Sequence, residues 1–356
     1  MPEKIVQQYK KYLKKRKYYI LIVILLLIII IIVSCISGSS GVGLKGIFNI
    51  ITGKSSAFVY DVVINIRLPR IIGAFLAGTA LAVSGAVIQS LLRNPLASPF
   101  TLGISGSSAF GAAFAIIVLG AGSSYSSSND LPIINNPCLV TSSAFIWSLV
   151  SVAIILLLSK FRGSTPEIII LSGIIISSLF GAGISAMQYF SDNVQLASIV
   201  FWTFGDLKRA SWNNCLIITV ILVPDLIFFL KQGWNYRALQ SGDEYAKSLG
   251  VNVPGVRLTG MVAASLVTAV VVSFYGIIAF IGLVVPHIVR RIIGGDEQFF
   301  IPASAISGGA FLLLCDTLAR TVIAPVILPV GILTSFIGAP LFLFLLIKGM
   351  GKGYWS

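Results

Sequence analysis

Charged residues are scarce in this chain of 356 residues. They make up 10% of the sequence, whereas a soluble domain usually carries about 25%. Hydrophobic residues make up 56%, and the mean hydropathy is +0.97. Because so few charges cannot cover a water-facing surface, the composition excludes a soluble globular protein. It predicts a protein that crosses a membrane several times.

Residues that carry out enzymatic chemistry are also rare. The sequence has one histidine, His287, and its four cysteines lie far apart without a CxxC pair. The P-loop pattern GxxxxGK[ST] is missing, so we do not expect ATP hydrolysis on this chain. We find no convincing catalytic pair in the apolar segments, and we predict a protein that is not an enzyme and uses no metal or cofactor. His287 follows Pro286 beside an apolar run, which favours a structural role.

Ionisable residues are missing from the middle of the apolar segments. Carriers that run on an ion gradient usually need such groups at mid-depth in the membrane. Asp225 and Asp316 lie near segment ends, and Asp316 precedes Arg320 by one helical turn, where a local ion pair can form. An ion-coupled secondary transporter stays open as an alternative, but the pattern favours a transporter whose energy comes from outside the chain.

Basic residues outnumber acidic ones, and the formal net charge is +13. In a membrane protein such an excess marks cytoplasmic loops, so nucleic-acid binding is not expected. The apolar run from Tyr18 to Ile36 is too long for a signal peptide and lacks an A-x-A end. We therefore predict a basic cytoplasmic N-terminus at 1–17 and a retained first span, within a single transmembrane domain at 18–350.

Apolar segments recur along the chain, without the alternating pattern of a lipid-facing β-barrel. Ten transmembrane helices are predicted, at about 18–36, 71–92, 99–120, 139–159, 168–190, 211–230, 258–275, 276–290, 301–319 and 327–347. The apolar run 258–289 is too long for one span, so we divide it at Gly276, with Pro286 as a second possible break. Ten spans place 18 of the 25 Lys and Arg residues in the cytoplasm and nine spans only 15, so ten spans and two cytoplasmic termini are favoured.

The longest polar run between two apolar segments is 231–257, which the charge count places in the cytoplasm. Asp243 and Glu244 begin a helical pattern, and Asn252 and Pro254 end it. Small and apolar residues recur about one turn apart within the pattern: Gly242, Ala246, Leu249 and Gly250. A membrane protein that keeps one such helix outside the bilayer is expected to use it to contact a partner.

Small residues also form a stripe in the predicted span at 168–190. Its members are spaced four apart and therefore share one helix face: Gly173, Ser177, Gly181 and Ser185. Such a face either lets another helix approach closely or lines a narrow pathway with hydroxyl groups.

Three arginines are exceptions to the positive-inside rule, because they lie at the predicted outer ends of spans: Arg67, Arg70 and Arg320. A guanidinium group can bind a carboxylate through two parallel hydrogen bonds. The three residues either anchor the protein to lipid headgroups or form a docking site for acidic side chains of an extracellular partner.

A series of motifs along the chain points to a family. The series comprises RLPR at 67–70, NPLASP at 94–99, GIIAFIGLVVPH at 276–287, LPVG at 328–331 and GAP at 338–340. In this order, over about residues 60–350, it closely resembles the FecCD-type permeases. That family imports iron–siderophores, haem and vitamin B12 through binding-protein-dependent ABC transporters.

The resemblance implies an all-α integral membrane protein with ten transmembrane helices per subunit, in a vitamin B12 permease-like (type II ABC importer) bundle. It implies a homodimer in the cytoplasmic membrane, with two cytoplasmic ABC ATPase subunits, one extracytoplasmic substrate-binding protein and a transported metal chelate as partners. The expected function is translocation of an iron–siderophore, or of a haem- or cobalamin-type chelate, driven by ATP hydrolysis on the separate ATPase.

The resemblance also implies roles for individual residues. Six of them match the coupling-helix loop, which in the family sits in a groove of the ATPase: Gly242, Asp243, Glu244, Ala246, Leu249 and Gly250. Arg67, Arg70 and Arg320 match arginines that meet acidic residues of the binding protein. Ser164 and Thr165 are similar to the polar turn of the cytoplasmic gate. Together with the small-residue stripe, they are the predicted pathway and gate.

Overall fold

A computed structural model describes residues 2–37, 43–122, 134–162, 165–324 and 326–349. Within these ranges the chain is helical and forms no strand. The α-helices are α1 (Pro2–Ile36), α2 (Leu44–Ile51), α3 (Ala57–Asp61), α4 (Leu68–Leu92), α5 (Ile104–Ile117), α6 (Pro137–Arg162), α7 (Pro166–Phe190), α8 (Asn193–Thr203), α9 (Trp212–Lys231), α10 (Gly233–Gln240), α11 (Asp243–Ser248), α12 (Val253–Tyr275), α13 (Ile281–Ile293), α14 (Glu297–Thr321) and α15 (Val330–Gly349). A π-helical turn, Val62–Arg67, joins α3 to α4, and 3₁₀ turns occupy Pro99–Leu102 and Leu207–Arg209.

Each of the ten predicted spans coincides with one helix: α1, α4, α5, α6, α7, α9, α12, α13, α14 and α15. In the described part of the chain, seven helical stretches are long and apolar enough to cross a membrane, and α5 and α15 are shorter apolar helices. The predicted membrane-embedded helical bundle is therefore confirmed. The helix α1 continues without a break across residue 17, so the basic N-terminal residues extend the first span as a helix.

Two predicted boundaries are wrong. The third span begins at Ile104 instead of 99, because Pro99–Leu102 forms a separate 3₁₀ turn that ends at Gly103 with φ +77°. The eighth begins at Ile281 instead of 276. Gly276, at φ +74°, ends α12 as predicted, and the chain stays non-helical up to Phe280. Pro286 lies inside α13 and does not break it.

The helix α4 lies at the centre of the bundle and packs against α9, α12, α13 and α14. Glycines bring its backbone close to two of these neighbours. A Cβ atom on Gly85 would collide with the carbonyl oxygen of Gly282 in α13, and one on Gly78 would collide with that of Gly308 in α14. Small residues at these crossings let helix backbones approach within a membrane protein. They hold α4 in close backbone contact with α13 and α14.

The bundle has two ends that can be told apart by their arginines. At one end the Nη1 atom of Arg67 donates a hydrogen bond to the carbonyl oxygen of Cys35, 2.6 Å away, which places the last turn of α1 beside the start of α4. We call this the arginine end. At the other end the Tyr12 hydroxyl donates to the carbonyl oxygen of Ile293, 2.9 Å away. The polar segment 231–257 lies there, and we call it the α11 end.

Candidate functional site: the α11 surface and the arginine cluster

The polar segment 231–257 folds into two short helices, α10 and α11. Gly242 connects them at φ +115°, and Gly250 follows α11 at φ +82°. Both conformations are ones that residues with a Cβ atom rarely adopt, so glycine is required at each turn. The helix predicted for the 242–250 pattern is present as α11. The next helix, α12, begins at Val253.

One side of α11 is fixed to the bundle. The carboxylate of Asp243 accepts two hydrogen bonds from Nη2 of Arg257, at 3.0 and 3.1 Å. Arg257, at the start of α12, is 2% exposed, and its Nε donates to the carbonyl oxygen of Leu91 in α4, 3.2 Å away. Arg93 lies 3.6 Å from the same carboxylate. The buried Ala246 completes the contact, so α11 is attached to both α4 and α12.

The opposite side of α11 faces solvent. The Glu244 side chain is 90% exposed and pairs with Lys247 at 2.9 Å, and this hydrogen bond raises the pKa of the Lys247 ammonium group. Tyr245 and Leu249 are exposed beside this pair, and Trp234 of α10 is also exposed. Exposed apolar and aromatic side chains next to charged ones suit contact with another protein.

The six predicted coupling residues fall into two groups of three. Glu244, Leu249 and Gly250 are exposed and available to a partner. The other three attach α11 to the bundle: Ala246 is buried, Asp243 accepts hydrogen bonds from Arg257, and Gly242 forms the turn before the helix. Sequence reasoning missed Tyr245 and Trp234. Their aromatic character in a polar segment was the signal that could have found them.

A buried carboxylate connects α10 to three more helices. Glu297, the first residue of α14, is 1% exposed. It accepts a hydrogen bond from Ser90 of α4 at 2.7 Å and another from Gln240 of α10. Arg290 of α13 lies 3.6 Å from it and donates to Ser90 at 2.9 Å. Glu297 carries no distinctive signal in the sequence, because an acidic residue in the first turn of a helix is commonplace.

The neighbouring Asp296 joins α1 to α10. Its carboxylate pairs with Arg16 of α1 at 2.6 Å and lies 3.7 Å from Arg237 of α10. The Arg16 guanidinium also stacks on the rings of Tyr12 and Phe299, with distances to the ring centroids of 4.1 and 4.8 Å. The α10–α11 unit is thus held through side chains by α1, α4, α12 and α14.

The arginine end has a different arrangement. Arg70 donates to both carboxylate oxygens of Asp316, with its shortest contact at 2.7 Å, and Arg320 lies 3.1 Å from the same group. The predicted local pair between Asp316 and Arg320 is therefore present. Nη2 of Arg320 also donates to Ser34 at 2.6 Å. None of Arg67, Arg70 and Arg320 is more than 7% exposed, so these guanidinium groups bind partners inside the fold.

The small-residue stripe of α7 has two halves. Gly173 packs against the backbone of Thr101, where a Cβ atom would collide with the carbonyl oxygen, and Ser177 donates to the Gly173 carbonyl at 2.7 Å. Gly181 has open space around it, and Ser185 is exposed. The first half thus serves helix packing, and the second half is accessible.

The predicted gate lies next to α7. The Thr165 side chain caps this helix by accepting from the N–H of Ile168 at 3.5 Å. Ser164 lies outside the described residues. His287, predicted to be structural, packs its ring against Phe342 with the centroids 5.9 Å apart.

Comparisons with known proteins agree on one family. The FecCD transport family matches residues 26–348. A Methanocaldococcus jannaschii protein named as an ABC transporter permease is 51% identical over 97% of this chain and 98% of its own length. The hemin transport system permease protein HmuU of Yersinia pestis is 37% identical over 87% of this chain and 90% of its own length. Other relatives are named as vitamin B12 and iron chelatin permeases, at 35% and 36% identity.

A solved structure gives the same answer for the fold. It is described as an inward-facing conformation of a metal-chelate type ABC transporter and superposes with a TM-score of 0.78 at 31% identity. The match covers 92% of this chain and 98% of that chain. Together with the helical bundle and the exposed α11, these matches show that the chain belongs to the FecCD transport family of ABC transporter permeases.

Proposed function

We propose that this chain is the membrane-spanning subunit of an importer for an iron–siderophore, or for a related haem- or cobalamin-type chelate, driven by ATP hydrolysis on a separate ATPase. One observation carries the coupling part of the proposal. The helix α11 holds an exposed face, with Glu244, Tyr245 and Leu249, on a base anchored by the buried Arg257. A surface that receives force from a partner needs both an accessible face and a stiff attachment.

The attachments suggest how movement of α11 would reach the pathway. Closure of the ATPase pair would displace α11, and Asp243 and Arg257 would pass this displacement to α4 and α12. Glu297 and Gln240 would pass it to α14. Because α4 packs closely on both α13 and α14, the helices would tilt as a body and open the pathway to one side or the other.

The pathway itself would lie between two copies of the chain. The accessible half of the α7 stripe, Gly181 and Ser185, would face the axis of the homodimer, and Ser164 and Thr165 would form its cytoplasmic gate. In this arrangement the α11 end and both termini lie in the cytoplasm, in keeping with the distribution of basic residues. Hydroxyl groups and backbone carbonyls would give a large chelate many weak contacts instead of one tight site.

The arginine end would receive the substrate-binding protein. Because Asp316 already pairs with Arg70 and Arg320, an acidic side chain of the partner would join an existing network instead of meeting free guanidinium groups. Arg67 likewise has a carbonyl partner in α1. Each arginine would therefore contribute less to docking than a fully exposed one would.

The coupling role can be tested in proteoliposomes that contain the permease, its ATPase and its binding protein. We expect the double variant Y245A/L249A to lower ATP-driven uptake by about tenfold, since side chains at the centre of an interface carry much of the binding energy. Its unfolding temperature and its affinity for the binding protein should stay unchanged, because both side chains are exposed.

A matched control is Y18A/L21A. It removes the same two side-chain types, again exposed, from the apolar part of α1 and away from α11. This variant should transport normally. Full transport by Y245A/L249A would contradict the coupling role of α11.

A further inference from the structure

A row of lysines on α1 takes no part in the contacts described so far. Five lysines occupy the last turns before the apolar part of this helix, and all are exposed: Lys10, Lys11, Lys14, Lys15 and Lys17. Among the side chains that the structure describes, none of the five has an ion-pair partner. A concentrated positive charge is therefore free to attract a negative partner.

The rotation of α1 decides which way these lysines face. At 100° per residue, the five lysines cover an arc of about 160°. Tyr12, Arg16 and Tyr19 lie on the opposite side, where they bond to Ile293, Asp296 and Ser307. Because these contacts fix the helix against α13 and α14, the lysines point away from the bundle.

The same outward arc continues into the apolar part of α1. Its exposed side chains there include Leu21, Ile22, Leu25, Ile28, Ile29 and Ile32. In a membrane this arc meets the acyl chains, and towards the N-terminus of α1, about one to three turns before Leu21, it reaches the depth of the headgroups. The lysines thus stand at the level of lipid phosphates, on the side of the helix that faces lipid.

We propose that this lysine face of α1 binds anionic phospholipid headgroups in the leaflet at the α11 end. Basic clusters next to a membrane span are attracted to the phosphate groups of acidic lipids. An ATPase held by α11 is a less suitable partner, because the lysine face is turned away from the bundle that carries α11. Binding to an acidic protein surface is instead an outcome that the experiment can detect.

The test uses the purified full-length chain in detergent, titrated with fluorescent phosphatidylglycerol or phosphatidylcholine. We expect the variant K10Q/K11Q/K14Q/K15Q/K17Q to weaken phosphatidylglycerol binding by about tenfold at low salt, and to leave phosphatidylcholine binding unchanged. Binding by the unmodified chain should weaken as salt rises, since exposed charges are screened. Soluble glycerophosphate should not compete, because it lacks the acyl chains that the apolar arc meets.

The matched control is K54Q/K160Q/K208Q/K231Q/K247Q, which removes five exposed lysines elsewhere. It should change phosphatidylglycerol binding less than twofold, roughly the scatter of such a titration, if the effect is local to α1. Equal losses in both variants, or effective competition by glycerophosphate, would overturn the proposal. So would unchanged lipid binding in the α1 variant together with loss of ATPase co-purification, which would assign the lysines to the protein partner.

Discussion

The two ends of the bundle use the same chemistry, arginine paired with carboxylate, but leave different groups accessible. At the arginine end Asp316 is fully buried, and its two arginine partners are almost so. At the α11 end Asp243 keeps 27% of its side chain exposed although Arg257 is buried, and Glu244 next to it lies almost entirely in solvent. The carboxylate and arginines at the arginine end are therefore buried among themselves, whereas the pair at the α11 end lies beneath a surface that is exposed to solvent.

This difference has an energetic consequence. Removing one partner of a buried pair leaves a charge without compensation in a medium that solvates it poorly. A partly exposed pair loses less, because water takes the place of the missing partner. Stability should therefore depend most on the arginine end, and coupling should depend most on the α11 end.

The largest effect is expected from D316N at the arginine end. It leaves Arg320 buried without a carboxylate and Arg70 with only Asp206, 4.0 Å away, and breaking a buried pair typically costs about 3–5 kcal/mol in the free energy of unfolding. Denaturant titration of the purified protein in detergent measures this loss. The control D206N removes a more exposed carboxylate 4.0 Å from Arg70 and should cost much less. Equal losses of unfolding free energy in D316N and D206N would show that the buried Asp316 pairs are no more important for stability than the partly exposed Asp206 pair.

An intermediate effect is expected from R257M at the α11 end. The variant removes the partner of Asp243 and the donor to the Leu91 carbonyl, at a cost of about 1–3 kcal/mol in the free energy of unfolding. Arg93 still lies near Asp243, so the loss should stay below that of D316N. The same titration applied to R93M, which affects only a half-exposed pair, should show a smaller change again. If R257M lowered the free energy of unfolding more than D316N does, stability would depend more on the α11 end than on the arginine end.

The smallest effect on stability is expected from E244Q. The side chain is almost wholly exposed and pairs only with Lys247 in the described structure, so the unfolding temperature should not change measurably. ATP-driven uptake in proteoliposomes should nevertheless fall, because this carboxylate lies on the face proposed to contact the ATPase. Unchanged uptake would remove Glu244 from that contact, whereas a large drop in unfolding temperature would give it a structural role.

Much of the fold could be predicted because apolar runs of about 20 residues are a local property. The break at Gly276 and the helix near Asp243 follow from residues adjacent in sequence. The non-helical stretch up to Phe280 could not be predicted in this way. Phe280 adopts φ +67°, and its ring packs so closely on Gly338 of α15 that a Cβ atom there would collide with it. That conformation depends on a residue almost sixty positions away.

The sequence by itself determined the membrane class, the approximate positions of the main helices, the position of the polar helix and the family, because each rests on composition, short patterns or an ordered set of motifs. Only the tertiary structure decided how the charged residues pair. Arg70 meets Asp316 across 246 positions, and Ser90 meets Glu297 across 207. Such pairs depend on which helices are neighbours and how each is rotated. The rotation of α4, α11 and α14 about their axes therefore decides which arginines are buried against carboxylates and which side chains stay exposed to a partner.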